Sequence, residues 1–193
     1  MTSLLARFWL FVWRVETVPR DEPIPAKCVM IAAPHTSNWD FPMMLALSKA
    51  SGVRASWLGK RSLFRGPMGP VMRWFGGVAV DRDAPGGMVA SLAGTFDHAD
   101  RLALMVPAEG TRSRTDYWKS GFYRIAQQAE VPIVLAFLDR STGKGGFGPA
   151  IEVTGDVDAD MDRIRAFYEG MTGLRAGRFG PIRLKEESAS EPE

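Results

Sequence analysis

The order of apolar runs along the chain constrains its fold more than any other sequence feature. From Lys27 onward, short apolar runs alternate with longer stretches whose apolar residues recur at helical spacing. The runs predict strands at residues 28–32, 55–58, 77–80, 102–106, 131–138 and 150–153. The stretches between them predict helices at residues 41–50, 67–75, 87–99, 119–129 and 159–169. This alternation is typical of an α/β fold with a mixed or largely parallel sheet flanked by helices.

The length of 193 residues fits one domain with a sizeable core. We expect an amphipathic helix at residues 1–16, a proline-rich linker at 17–26, the main domain at 27–183 and a disordered acidic tail at 184–193. The glycine-rich stretch 141–149 lacks the spacing of a phosphate-binding loop and predicts a hairpin loop.

The N-terminal stretch 3–15 is apolar on most faces, with Trp9 and Trp13 one turn apart and Arg7 and Arg14 near its margins. It is shorter than the roughly 20 residues that cross a bilayer. Two interpretations remain open: a helix lying in a membrane interface, where tryptophan and arginine suit the headgroup layer, or a terminal helix packed on the protein's own core.

The formal net charge of +2 hides an uneven distribution. Residues 54–82 hold six basic side chains and one acidic one, whereas the last eight residues carry four glutamates. A basic region of this kind is either a solvated face or a surface for a phosphorylated ligand or an anionic membrane. The net charge is too small to indicate a nucleic-acid partner.

Cys28 is the only cysteine, so the chain can form no internal disulfide, and no Cys/His zinc site is expected from two histidines. We predict that Cys28 packs inside a strand and is not a nucleophile. His98 lies between carboxylates in a predicted helix, which indicates a surface position. Trp39 and Trp74 either line a groove near the site or pack in the core.

His35 and Asp40 are the first candidate pair for chemistry. A neutral imidazole can take a proton near pH 7, and a nearby carboxylate can fix its tautomer. The spacing places the two side chains together only if His35 precedes a helix and Asp40 lies in its first turn. Taken alone, such a pair can equally be a helix-capping arrangement.

Further polar residues end or follow other predicted strands, where ligands gather in open α/β sheets. In the stretch from Glu109 to Arg112, Gly110 lets backbone amides approach a ligand, Thr111 offers a hydroxyl, and Arg112 can grip a phosphate. Lys60 adds a mobile positive charge, while Glu109 is expected to brace the loop.

Four blocks of the sequence resemble the glycerophosphate acyltransferase superfamily, in the branch of the bacterial 1-acylglycerol-3-phosphate acyltransferases. The resemblance rests on His35-Thr-Ser-Asn-Trp-Asp40, on residues 59–64 with 76–82, on Glu109-Gly-Thr-Arg-Ser113, and on Val131-Pro-Ile-Val134, in that order.

The resemblance implies a membrane-associated O-acyltransferase of phospholipid biosynthesis that moves a fatty acyl group from a thioester to a lysophospholipid. His35 would be the general base and Asp40 its partner; Lys60, Arg112 and Arg82 would bind the acceptor's phosphate, with Glu109, Gly110 and Thr111 in support. The donor would be acyl-CoA or acyl-carrier protein, with no cofactor and no metal. The location would be peripheral, on the cytoplasmic face of a membrane.

Three stretches depart from the family pattern: Pro34, Pro107-Ala108 and Leu135. They spare the His35–Asp40 pair but alter loop entries around the site, so lysophosphatidic acid is the first choice of acceptor and another lipid alcohol the second. Two rival functions remain: a thioesterase or lipid hydrolase that uses the same pair to activate water, and a phospholipid-binding module without catalysis.

Overall fold

A computed structural model describes residues 3–80 and 87–187 of the chain. Within them, seven strands form one sheet in the order β1-β7-β6-β2-β5-β3-β4. The strands are β1 Glu16–Val18, β2 Lys27–Ala33, β3 Ala55–Lys60, β4 Gly77–Val80, β5 Leu102–Val106, β6 Ile133–Asp139 and β7 Lys144–Ile151. The helices are α1 Ser3–Val12, α2 Asp40–Ala50, α3 Met68–Trp74, α4 Gly87–Asp97, α5 Gly121–Gln128 and α6 Val157–Tyr168. The predicted α/β class, with its N-terminal helix, is confirmed.

Both faces of the sheet are covered, which explains why its central strands are apolar throughout. Along β2, Val29 and Ile31 pack into the core formed with α4, α5 and α6, whereas Cys28 and Met30 pack on the opposite face. This is the alternation of side chains expected of a strand. Cys28 is fully buried, and burial raises the pKa of its thiol to about 12, so the thiol stays protonated at neutral pH.

The sheet positions the functional loops through its strand directions. Strands β4, β3, β5, β2 and β6 run parallel to one another, and the pair of β6 with β7 is antiparallel. The carboxyl ends of the parallel strands therefore lie at one edge of the sheet. The loop after β2 leads from His35 to Asp40, the loop after β5 carries residues 109–112, and Lys60 ends β3.

The glycine-rich stretch 141–149 differs from its predicted form. Most of it belongs to β7, which starts at Lys144 and pairs with β6, so the predicted loop is wrong beyond the turn and the predicted strand 150–153 begins too late. The glycines of this strand make it hard to recognise from the sequence. At least one of them is required by packing, because a Cβ on Gly148 would approach the ring of Phe167 to 2.3 Å.

The ends of the main domain also differ from the predicted boundaries. The expected linker 17–26 begins inside the sheet, since β1 pairs in parallel with β7 from Glu16 to Val18. At the other end, residues 184–187 are packed and not disordered: Leu184 is buried, and Glu187 accepts a hydrogen bond from Arg165 at 2.9 Å. The rest of the predicted tail lies outside the described residues.

Helix α1 lies on α2 and has two different faces. Ala6 and Leu10 are buried in a small core shared with Met43 and Leu47 of α2. Trp9 is partly buried beside this core, and the other apolar side chains of α1 are exposed: Leu4, Leu5, Phe8, Phe11 and Val12. Among the described helices, none combines the length and the apolar character needed to span a membrane.

Candidate active site

His35 lies in the loop between β2 and α2, with its ring next to the first residue of that helix. The Nδ1 atom is 3.3 Å from Oδ2 of Asp40, where α2 begins. A proton on Nδ1 satisfies this carboxylate and leaves Nε2 as an acceptor. The ring is partly exposed, and Asp40 is buried. The geometry is thus the one that the spacing of the two residues requires for a shared role.

Asp40 also shapes the loop that presents His35. Its Oδ2 atom accepts hydrogen bonds from the backbone N–H groups of Thr36 and Ser37, each at 2.7 Å. Both residues lie before Trp39, the N-cap residue of α2, so the carboxylate holds the loop and does not cap the helix. The conformation of the loop and the orientation of His35 therefore depend on the same oxygen atom.

Glu109, in the loop after β5, fixes the backbone of His35 from the neighbouring strand. It is fully buried, and its Oε1 accepts the N–H of His35 at 2.5 Å. Burial raises the pKa of this carboxyl to about 7, against the lowering effect of the His35 N–H and of the His35 charge. Its Oε2 has no hydrogen-bond partner among the described residues. Glu109 thus holds the His35 loop from the neighbouring strand.

The residues after Glu109 form a tight turn. Gly110 has φ of +65°, a conformation that favours glycine, and a Cβ there would approach Cγ of Lys119 to 2.7 Å. Thr111 is exposed, and its hydroxyl accepts the N–H of Ser113 at 3.2 Å, so it stabilises the turn itself.

A cavity of about 430 Å³ opens beside His35 and Asp40. Its wall is mostly apolar, and Arg112 supplies a guanidinium group at the same cavity. The apolar side chains come from α2, β3, the segment after β3, and the strands β6 and β7: Phe41, Met44, Leu47, Trp57, Leu58, Leu63, Phe137, Leu138 and Phe147. A nitrogen base, a cation and an apolar chamber therefore meet in one place.

The other predicted site residues are placed differently. Lys60 ends β3 at the same edge of the sheet, but it is exposed and is not among the described residues that line the cavity. Arg82 lies outside the described residues. His98 is exposed, as predicted, but it lies in the turn after α4 and not in the helix, which ends one residue earlier at Asp97.

Neither Trp39 nor Trp74 lines the cavity among the described residues, and neither belongs to the core. The ring of Trp39 is half exposed and lies 5.2 Å from that of Trp13 in the segment after α1. Trp74 is 73% exposed on α3. Phe41 and Trp57 take the lining role instead, and their rings meet edge to face at 5.0 Å.

One contact to the His35 loop has no signal in the sequence. The backbone N–H of Arg175 donates to the hydroxyl of Thr36 at 3.1 Å, so a segment after α6 packs on the loop. Thr36 itself is fully buried. Residues 139 positions apart in the chain and without a shared pattern cannot be paired by sequence reasoning. In the described part of the chain, no group of three or more His, Cys, Asp and Glu side chains is arranged to hold a metal ion.

The fold is shared with a solved enzyme. The crystal structure of the 1-acyl-sn-glycerophosphate (LPA) acyltransferase PlsC from Thermotoga maritima is similar with a TM-score of 0.57 and 14% sequence identity. The likeness covers 99% of this chain and 79% of that chain. At this level of identity, it establishes the architecture.

The family follows from the sequence itself. The sequence model of the Acyltransferase family matches residues 15–136, which include the His35–Asp40 and Glu109–Arg112 loops. The chain belongs to the Acyltransferase family, and the protein is an acyltransferase. Among curated protein sequences, none matches significantly.

Proposed function

We propose that the protein transfers a fatty acyl group from a thioester to the hydroxyl of a lysophospholipid, with lysophosphatidic acid as the first choice of acceptor. One observation carries the proposal: the His35–Asp40 pair opens on an apolar cavity that is also lined by Arg112. The cavity offers surroundings for an acyl chain, and the guanidinium can hold a phosphate through two parallel hydrogen bonds.

The reaction needs two proton transfers, one to His35 and one from it. Nε2 of His35 takes the proton of the acceptor hydroxyl as its oxygen attacks the thioester carbonyl. The tetrahedral intermediate then expels the thiolate, which receives the proton from His35. The Asp40 carboxylate, next to Nδ1, stabilises the imidazolium between the two steps. No covalent acyl-enzyme is required, consistent with the protonated, buried thiol of Cys28.

The donor in this proposal is acyl-CoA or acyl-carrier protein, and the enzyme works at the cytoplasmic face of a membrane. The exposed apolar side chains of α1 support peripheral attachment, because Phe8 and Phe11 are 64% and 78% exposed. Exposed aromatic and aliphatic side chains on one helix are favourable at a lipid interface and unfavourable in water.

The test is His35→Ala in an assay that combines a labelled acyl donor with a panel of lysolipids. Loss of a positioned general base should lower the rate by about 100- to 10,000-fold. His98→Ala is the matched control, because it removes the other histidine at an exposed position. Thermal unfolding should show that both variants remain folded. Full activity in the His35 variant would remove it as the base.

The same assay separates transfer from hydrolysis. Acyl transfer consumes the donor only when a lipid alcohol is present, whereas a hydrolase consumes it in water alone. Donor consumption that ignores the added lysolipid would contradict the proposal. A phosphate-bearing acceptor should be preferred, and Arg112→Gln should raise its KM more than that of an uncharged lipid alcohol, because the variant lacks the guanidinium charge.

A further inference from the structure

A second cavity, of about 640 Å³, lies on the other side of α2 from the acyl-transfer site. Phe41, Met44 and Leu47 of α2 line the first cavity, whereas Pro42, Leu45 and Lys49 line the second. The second cavity is bounded by α1, by α2 and by the chain from Val53 to Gly76. The proposed acyl transfer makes no use of it.

The charges in this cavity have one sign. Lys49, Arg54 and Arg73 line it, and the described lining includes no aspartate or glutamate. Within the described chain, none of these three side chains forms an ion pair within 4.0 Å. The side chain of Arg73 also lies over the ring of Phe64, at 5.8 Å from its centroid, which limits its freedom. Three cations that form no ion pair among the described residues favour an anion, and guanidinium groups favour a phosphate.

The rim indicates where such an anion comes from. Trp9 of α1 and Trp74 of α3 border the cavity, and Trp74 is largely exposed. Each tryptophan has exposed apolar neighbours three or four positions away on its own helix: Leu5 and Val12 on α1, and Val71 on α3. Tryptophans around a cationic centre suit the headgroup layer of a membrane, where apolar rings and charges are both satisfied.

We propose that this cavity binds the phosphate of an anionic phospholipid headgroup at the membrane surface, at a site separate from that of acyl transfer. The inference rests on the membrane attachment proposed above. It adds that the attachment prefers membranes that contain anionic phospholipids. Its test measures lipid binding and not acyl transfer, so the two proposals can fail separately.

The test compares binding of the full-length protein to vesicles of phosphatidylcholine alone and of phosphatidylcholine with phosphatidylglycerol. A triple variant, Lys49→Gln with Arg54→Gln and Arg73→Gln, should lose about 100-fold in affinity for the anionic vesicles, at about fivefold per basic residue. Binding to phosphatidylcholine alone should be unchanged, because the apolar side chains of α1 and α3 remain. The control triple variant, Arg101→Gln with Lys144→Gln and Arg178→Gln, removes the same charge from exposed positions elsewhere.

Equal losses in the two triple variants would show diffuse charge attraction and overturn the proposal, as would wild-type affinity in the first one. Arg54→Gln alone keeps the test valid if the triple variant is unstable. It should lower the affinity for anionic vesicles about fivefold, and Arg101→Gln is its matched control. Equal affinities of these two single variants would count against the site.

Inorganic phosphate is the last arm of the test. If it raises the unfolding temperature of the wild type but not of the triple variant, while vesicle binding stays equal in both, the cavity holds a soluble phosphate and the proposal is wrong. His35→Ala should bind both kinds of vesicle as the wild type does, because His35 does not line this cavity.

Discussion

One oxygen atom, Oδ2 of Asp40, accepts from the backbone N–H groups of Thr36 and Ser37 and lies next to Nδ1 of His35. The same atom therefore contributes to folding, by holding the backbone of the loop, and to the proposed chemistry, as the partner of the base. Its two contributions can be separated because they depend on different properties. The loop contacts need an acceptor oxygen, whereas stabilisation of an imidazolium needs a negative charge.

Asp40→Asn and Asp40→Ala should accordingly give different results. Asparagine keeps an acceptor oxygen, so we expect a loss of less than about 1 kcal/mol in the free energy of unfolding but at least about 100-fold in acyl transfer. Alanine leaves two buried N–H groups without a partner and should cost about 1–3 kcal/mol as well as the activity. Denaturant unfolding and initial rates of both variants provide the measurement. An asparagine variant with wild-type rate would show that the carboxylate charge is not needed.

Glu109 should make stability depend on pH. Burial raises the pKa of its carboxyl from the usual 4.5 to about 7, so between these values the folded protein holds a proton that the unfolded chain has lost. The resulting stabilisation is complete below pH 4.5 and is lost as the pH rises through 7. Glu109→Gln keeps the acceptor oxygen for His35 and cannot titrate. We expect the free energy of unfolding of this variant, relative to that of wild type, to rise by up to about 3 kcal/mol between about pH 5 and about pH 8.

Denaturant unfolding at several pH values measures this difference. Glu152→Gln removes an exposed carboxylate and is the matched control. Only the Glu109 variant should diverge from wild type as the pH rises. Parallel curves for all three proteins would mean that the buried carboxyl does not titrate in this range.

At the scale of elements, α1 combines the two interpretations that its sequence leaves open. Its Ala6 and Leu10 pack on α2, as in a terminal helix on its own core, while Phe8 and Phe11 remain exposed, as an interfacial helix requires. The two faces should respond to mutation in opposite ways.

The double variant Phe8→Ser with Phe11→Ser should weaken vesicle binding and leave the unfolding temperature unchanged, because it alters the exposed face alone. Leu10→Ala should lower the free energy of unfolding by about 2–5 kcal/mol through the cavity it creates, with vesicle binding of the folded protein preserved. Vesicle sedimentation and thermal unfolding of both variants test the pair. If the double serine variant bound vesicles as well as wild type does, the attachment surface would lie elsewhere.

The elements that the sequence predicts well are those with an uninterrupted apolar signal. The predicted bounds of 77–80 and 102–106 coincide with β4 and β5. Strand β7 escapes prediction because Gly145, Gly146 and Gly148 remove the side chains from which a strand is recognised. Strand β1 has three residues and stands at the edge of the sheet, too short for any period to emerge.

In the site, too, some features follow from local sequence patterns and others depend on contacts between residues far apart in the chain. The meeting of the loops that carry His35 and Glu109 follows from the rule for carboxyl ends of parallel strands, and the structure shows it as a hydrogen bond. The rule brings residues to one edge without fixing where their side chains point. Lys60 illustrates the limit, since it reaches the edge and stays exposed. The contact of Arg175 with Thr36 has no local pattern at all.

At the scale of the whole molecule, the expected main domain at 27–183 shares buried contacts with the segment before it. Ala6, Leu10 and Val15 are buried together with residues of α2, and β1 completes one edge of the sheet. A chain that begins at Lys27 should therefore unfold at a lower temperature than the full chain, with a loss of about 3 kcal/mol or more.

Thermal unfolding of the two chains measures this effect. The Phe8→Ser with Phe11→Ser variant is the appropriate control, because it alters the exposed face of the segment without removing its buried one. Equal unfolding temperatures for the short and the full chain would mean that residues 27–183 are stable by themselves and that α1 is an attachment.

The central position of β2 in the sheet has a consequence for the growing polypeptide. The loop after β2 carries His35, but its fixing partners are Glu109, 74 residues later in the chain, and Arg175, which binds Thr36 from 139 residues away. The neighbours of β2 are β5 and β6, so β2 can pair on both sides only after these two later strands have been synthesised. During synthesis the proposed base is therefore made well before the residues that hold its loop, and we expect the nascent chain to stay inactive until residue 175 has emerged.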